Sequence, residues 1–214
     1  MSSREDIYSK VKDALKVNYI PEVQVSHTDR MVYDKDKLLD TYIEYQKANQ
    51  GTVLLSSKET LKEDVNKLIA ELGVKRLLIA RNIESGFGID DLNVDEKIVY
   101  NKTVETQRSD LFNIDFSILH ANLGVANLGI LGFSTDEDCP RLASLIVSSC
   151  IVLLKKEDVV ANLFEAINKL KGTRKDGHLP TNIVFILGPS RTADIELITV
   201  LGVHGPRNVH VVLY

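Results

Sequence analysis

Near its C-terminus the chain reads GPSRTADIELITVLGVHGPRNVHVVLY, from Gly188 to Tyr214. Ser190, Arg191, Thr192, Asp194 and Glu196 follow directly on the apolar run Ile183-Val-Phe-Ile-Leu187. Two hydroxyls and a guanidinium are groups that hold a carboxylate or phosphate, above all where free backbone N–H groups at a helix start add to them. Two carboxylates at the same place repel an anion. Either Arg191 compensates, or one carboxylate faces away, because positions two apart on a helix do not share a face. His204, in the turn Gly202-Val-His-Gly-Pro206, is of a type that serves as base or ligand.

The same residues also read as helix punctuation. Ser190 or Thr192 can cap a helix over 192–201, with Asp194 and Glu196 in its first turn, where the dipole favours carboxylates. Gly202 is then the stop, and Val203 packs back on Ile198. Arg191 alone has no role in that scheme. A ten-residue helix is about 15 Å long. If 182–213 form a parallel β-α-β unit, His204 lies at the opposite end of the sheet from Ser190, and the two share no site within one chain. His204 then reads as a turn residue hydrogen-bonded to backbone.

Other candidates are scattered. His120 follows an apolar strand and precedes glycine-rich backbone, so it reads as a ligand contact or as a hydrogen-bonded structural histidine. Arg141 can pair with an anionic ligand or with Asp136, Glu137 or Asp138. Cys139 and Cys150 form no CxxC; they suggest neither a disulfide framework nor a four-cysteine metal site, and Cys150 at a strand start reads as a small core residue. Gly86-Phe-Gly88 begins a dinucleotide fingerprint, but Asp91 stands in place of the third glycine. The chain thus carries no recognisable equipment for hydride or single-electron transfer.

The elements that must position these residues alternate. Helical spacing runs over 4–17, 36–48, 59–72 and 157–171, with Ser3 as a cap and Gly73 as a stop. Strands are expected at 52–55, 76–80, 97–100, 116–119, 151–154, 183–187 and 209–213, and 124–133 is apolar and glycine-punctuated. Residues 18–33 read as an irregular connection. Strands alternating with helices argue for an α/β layer fold, three-layered α/β/α with a mostly parallel sheet. The runs at 151–154 and 183–187 lack polar alternation, as expected of strands covered on both faces. The organisation expected is an N-terminal helix and connection over 1–35, then one α/β domain over 36–214.

Composition narrows the partners. With 30 acidic against 26 basic residues, the net charge is −4, and the pI is about 5.8. That excludes nucleic acid as a main partner, which requires a concentrated basic face. The one dense basic patch, Lys171 to Lys175, is short and reads as solvated surface. The polar start MSSREDIYSK is unlike a signal peptide, and no apolar stretch reaches the roughly 20 residues needed to span a bilayer. A cytoplasmic protein is expected.

The combination Gly188-Pro-Ser-Arg-Thr192, Asp194-Ile-Glu196 and Gly202-Val-His-Gly-Pro206 resembles the LUD-domain proteins of bacterial lactate utilisation, the LutC (YkgG) type. The likeness continues through Arg141-Leu-Ala-Ser-Leu145, the segment around Ala126 and Gly129, and the opening helix with Arg4, Ile7, Val11 and Leu15. The resemblance implies a NagB/RpiA/CoA-transferase-like fold. It also implies a part in oxidising L-lactate to pyruvate beside iron–sulfur partner proteins, with no cofactor in this chain. Two segments depart from the family pattern. Ala126-Asn127-Leu128-Gly129-Ile130 stands where relatives read Ala-Glu/Asp-Thr-Gly-Thr, and Ile146-Val147-Ser148-Ser149-Cys150-Ile151 where they often read Leu-Pro-x-x-His-Ile. An acid, a hydroxyl and a histidine are thus replaced by Asn127, Leu128 and Cys150. Three functions are consistent with the sequence: a non-redox subunit of the lactate system, a stand-alone enzyme on a small carboxylate, phosphosugar or acyl-CoA, and an assembly protein without catalysis.

Overall fold

The computed structural model describes residues 3–17, 34–83, 88–101, 104–172, 180, 182–194 and 197–214. The expected connection at 18–33, residues 173–175 of the basic patch, Gly86 and Phe87 of the glycine motif, and Glu196 lie outside them. The chain divides into two compact units, Met1–Val32 and Tyr33–Tyr214. The first contributes one helix, α1 (Ser3–Val17).

The second unit runs α2 (Leu38–Ala48), β1 (Thr52–Leu55), α3 (Leu61–Glu71), β2 (Arg76–Ile79), β3 (Glu96–Val99), α4 (Val104–Leu111), β4 (Phe116–His120), β5 (Leu123–Val125), β6 (Ile130–Thr135), β7 (Ser149–Leu154), β8 (Val159–Val160), α5 (Leu163–Lys171), β9 (Asn182–Ile186), β10 (Arg191–Thr192), β11 (Val200–Leu201) and β12 (Asn208–Leu213). Six strands form one sheet in the order β1-β12-β7-β4-β2-β3, and every pairing in it is parallel. The fold is α/β around a mostly parallel sheet. α3 covers one face, with Leu61, Val65 and Ile69 on Leu77, Ile118, Leu153 and Val212. On the other face Tyr42 of α2 joins Leu119, Val152, Val211 and Leu213.

A second sheet lies on that side, in the order β8-β5-β6-β9. Here β9 runs antiparallel to β6, with Ile186 opposite Leu131 and Asn182 opposite Thr135. The expected parallel strand at 183–187 therefore belongs to a different sheet. Its uniform apolarity has the anticipated cause: Ile183 and Phe185 face the α5 cluster, while Val184 and Ile186 face the main core. Coverage on both faces produced the pattern; strand direction did not.

α5 starts later than the helix expected from 157. Asn162 caps it by accepting from the Glu165 N–H at 2.9 Å, and the Glu165 carboxylate accepts from the Ala161 N–H at 3.2 Å. This reciprocal cap fixes the start. α4 has a weak apolar stripe and was not among the expected elements.

The largest correction concerns 192–201, where no helix forms among the described residues. Arg191 and Thr192 pair antiparallel with Leu201 and Val200, making a hairpin. Among the described residues, the caps and the helix N-terminus inferred there are absent. Gly202 does have a left-handed backbone, φ +81°, but in a turn. Ile198 and Val203 are both exposed instead of packing as a helix stop would require.

Candidate functional site

Because all strands of the main sheet run the same way, it has an amino edge and a carboxyl edge, and the candidate residues divide between them. The closing motif sits at the amino edge. Arg207 and Asn208 donate backbone N–H bonds to Ser148 O at 2.7 and 3.1 Å, and the Asn208 amide reaches Ser149 Oγ at 3.0 Å. Ser190 is the knot of this loop. Its N–H donates to Pro206 O at 2.8 Å, its carbonyl accepts from Gly202 N at 2.9 Å, and its Oγ accepts from His204 N at 3.3 Å. Ser190 and His204 are therefore neighbours, against the expectation that a β-α-β unit separates them. That expectation fails because β9 and β12 lie in different sheets. The contact uses the His204 backbone, while its side chain is exposed.

Arg191 has a structural partner. Its Nη2 donates to Asn49 O at 3.1 Å and to Leu187 O at 3.4 Å. Asn49 ends α2, and its own amide donates to Leu128 O at 2.8 Å, beside Asn127. Arg191 thus places a cation at the carbonyl end of a helix, where the dipole favours it. Two glycines with φ above +60° allow this close approach. A Cβ on Gly129 would meet the α2 backbone at Tyr45 and Gln46, and one on Gly188 would meet Asn49 O. Asn127 donates its N–H to Ala161 O at 3.3 Å. Thr192 is half-buried in β10, and Asp194 is exposed. The amino edge is a clamp that holds the end of α2, with Ser190, Arg191, Thr192, Asn127 and His204 grouped around it.

The carboxyl edge carries the other histidine. His120 ends β4 and is 9% exposed, and its Nε2 shares a 2.8 Å hydrogen bond with the Tyr214 hydroxyl. The rings meet edge to face, with centroids 5.9 Å apart. Asn82 fixes the His120 backbone from the neighbouring strand end: its amide donates to His120 O at 2.7 Å and its Oδ1 accepts from His120 N at 3.2 Å. The Asn82 N–H donates to Asp138 O at 3.0 Å, and Arg81 pairs with Asp138 at 2.8 Å and donates to Glu137 O at 3.2 Å. Asp136 Oδ1 accepts the N–H groups of Asp138 and Cys139. Arg141 follows in the same loop and is exposed; the ion pairs among the described residues do not include it. Two of the expected acid partners, the carboxylates of Asp136 and Asp138, are thus bonded elsewhere.

This end of the sheet has a second property. The connection leaving β2 runs outward to β3, whereas the one leaving β4 runs inward to β7. Open α/β sheets bind ligands at the carboxyl ends of strands where connections diverge in this way. A histidine hydrogen-bonded to a tyrosine can pass a proton, and Arg81 and Arg141 carry charge that attracts a carboxylate. Neither cysteine fits such chemistry. Burial pushes both thiols up to about 12; Asp136 adds to this at Cys139, and Cys150 is held by Ser117 Oγ and Ser144 O in the core. Among the described residues, no group of three or more His, Cys, Asp and Glu is placed to hold a metal ion. Asn82 and Tyr214 were missed in the sequence. Their signal is position: each falls within three residues of the carboxyl end of an apolar strand.

Residues 39–214 match the LUD domain family. The chain belongs to that family. Its relatives include an uncharacterised protein of Neisseria meningitidis serogroup B, 27% identical over 98% of this chain and 92% of its own length. Lactate utilization protein C of Oceanobacillus iheyensis is also 27% identical, over 82% of this chain and 78% of its own. A crystal structure of a DUF162 family protein from Deinococcus radiodurans has a TM-score of 0.63 at 14% identity, covering 85% of this chain and 99% of that one. That likeness shows the shared fold. The LUD domain here therefore spans both edges of the sheet, the clamp and the His120–Tyr214 pair.

Proposed function

We propose that this chain is a non-redox subunit of a bacterial lactate utilisation system, oxidising L-lactate to pyruvate in the cytoplasm with iron–sulfur partner proteins. The observation that carries the reading is the similarity to lactate utilization protein C along most of both chains. In this reading the carboxyl edge holds the substrate. Arg141, exposed and outside the ion pairs among the described residues, receives the carboxylate, and the His120–Tyr214 pair receives the hydroxyl and its proton. The iron–sulfur partners supply the redox chemistry, taking the Cα hydrogen as a proton together with the two electrons.

Native co-purification from cells grown on L-lactate is the first test, and recovery of iron–sulfur proteins with the chain is expected. Growth on L-lactate should fail when the gene is deleted; normal growth without a compensating paralogue would remove the proposal. Binding is checked by thermal shift with L-lactate and pyruvate, in the wild type and in His120→Gln.

An assembly protein without catalysis is a second reading, favoured by the hairpin. Leu197 is 93% exposed and Ile198 64% exposed, a combination typical of a contact surface. It predicts co-purification that survives His120→Gln. The stand-alone anion-binding enzyme loses its motive, since Arg191 faces a helix end and the helix start proposed to assist it is absent.

A further inference from the structure

α2 turns two polar side chains into the core. Tyr42 and Gln46 lie one turn apart, so they share a face, and both are fully buried. The Tyr42 hydroxyl and both polar atoms of the Gln46 carboxamide have no hydrogen-bond partner among the described residues. Folded proteins leave very few such groups unsatisfied, because water that bonded them in the unfolded chain has been removed. The surroundings are largely apolar. The Tyr42 ring packs on Gly124 and Leu154, and the Gln46 amide fills the place a Cβ on Gly51 would occupy. Tyr42 belongs to the same core cluster as Leu119, Leu131, Val152 and Leu213. Burial also holds the Tyr42 hydroxyl well above the usual phenol range, so it stays a proton donor.

We infer that α2 seals an internal hydration site: resident water bonds the Tyr42 hydroxyl and the Gln46 carboxamide. The donor and acceptor set determines the ligand class. A phenol O–H, an amide N–H and an amide carbonyl match a small neutral molecule that both donates and accepts. An anion or cation would stand there without a countercharge among apolar side chains, at a cost far above that of water. Buried waters bind otherwise unsatisfied polar groups of this kind.

Tyr42→Phe and Gln46→Met in the full chain remove the polar atoms and nearly keep the volume. With water in place, each variant loses a satisfied network, and its thermal midpoint falls by about 2–4 °C, the shift expected for one hydrogen bond in a chain of this size. A high-resolution crystal structure then shows ordered water on the hydroxyl and the carboxamide, lost at the substituted group in each variant. A midpoint that stays or rises in either variant overturns the inference, because removing an orphaned polar group relieves a penalty. So does density showing both side chains bonded directly to protein groups.

Discussion

At the scale of single residues, the decisive ones at the amino edge are glycines. Gly73, Gly129 and Gly188 all have φ between +61° and +65°. Their surroundings differ: a Cβ on Gly73 would meet nothing within 4 Å, while on Gly129 and Gly188 it would strike backbone of α2 or Asn49. Gly73→Ala should therefore cost only the left-handed strain, about 1–2 kcal/mol. Gly129→Ala and Gly188→Ala add displacement of the helix and should cost clearly more in urea unfolding. Equal losses at the three positions would show that strain alone governs them. Arg191→Ala removes a cation from a helix end and should lower stability by about 0.3–1 kcal/mol, with ligand binding unchanged. A ligand affinity lost in Arg191→Ala would return the anion site to the amino edge. His210 gives a pH signature. It is hydrogen-bonded to Thr52 Oγ1 at 2.7 Å, and burial lowers its proton affinity below the ordinary 6.5. The unfolded chain then takes up the proton first, so stability is complete above 6.5 and declines as the pH falls through the depressed folded value. His210→Gln should flatten that part of a stability–pH curve.

At the scale of elements, the β10–β11 hairpin is the least buried part of the closing motif, yet its base is fixed through Ser190 and Arg191. Replacing Leu197 and Ile198 by Ser should leave the thermal midpoint unchanged and reduce recovery of partner proteins in native purification. A destabilised monomer would show instead that the hairpin packs on its own chain. This hairpin was also the element least legible in the sequence. Ser190, Thr192, Asp194 and Gly202 make a consistent helix by capping and dipole rules, but the Pro206–Ser190 and Gly202–Ser190 bonds close a loop that sequence patterns do not display. Strands were more legible, because β4, β7 and β12 are apolar runs bounded by polar turns. Their direction was less so: β9 shows how two-sided burial looks the same in parallel and antiparallel sheets. His120 could be picked out by its place after a strand, whereas its pairing with Tyr214, 94 residues along the chain, depends on β12 lying beside β7.

At the scale of the whole molecule, the sheet keeps stability and the proposed chemistry apart. The amino edge is tied by Gly129, Gly188 and Arg191 around the end of α2, and the carboxyl edge carries His120, Tyr214, Arg81 and Asn82. Substitutions at the two edges should therefore fail in different ways. Tyr214→Phe keeps the ring that packs against His120 and removes only the hydroxyl, so its folding midpoint should stay within a few degrees of wild type, the effect of one hydrogen bond. In cells it should slow growth on L-lactate while the partner proteins still co-purify. Gly188→Ala should lower the amount of folded protein and reduce growth and co-purification together, as expected when the folded population falls. If Tyr214→Phe and His120→Gln both support wild-type growth while hairpin variants do not, the carboxyl edge is not the working site. The LUD domain then serves its partners through the hairpin surface.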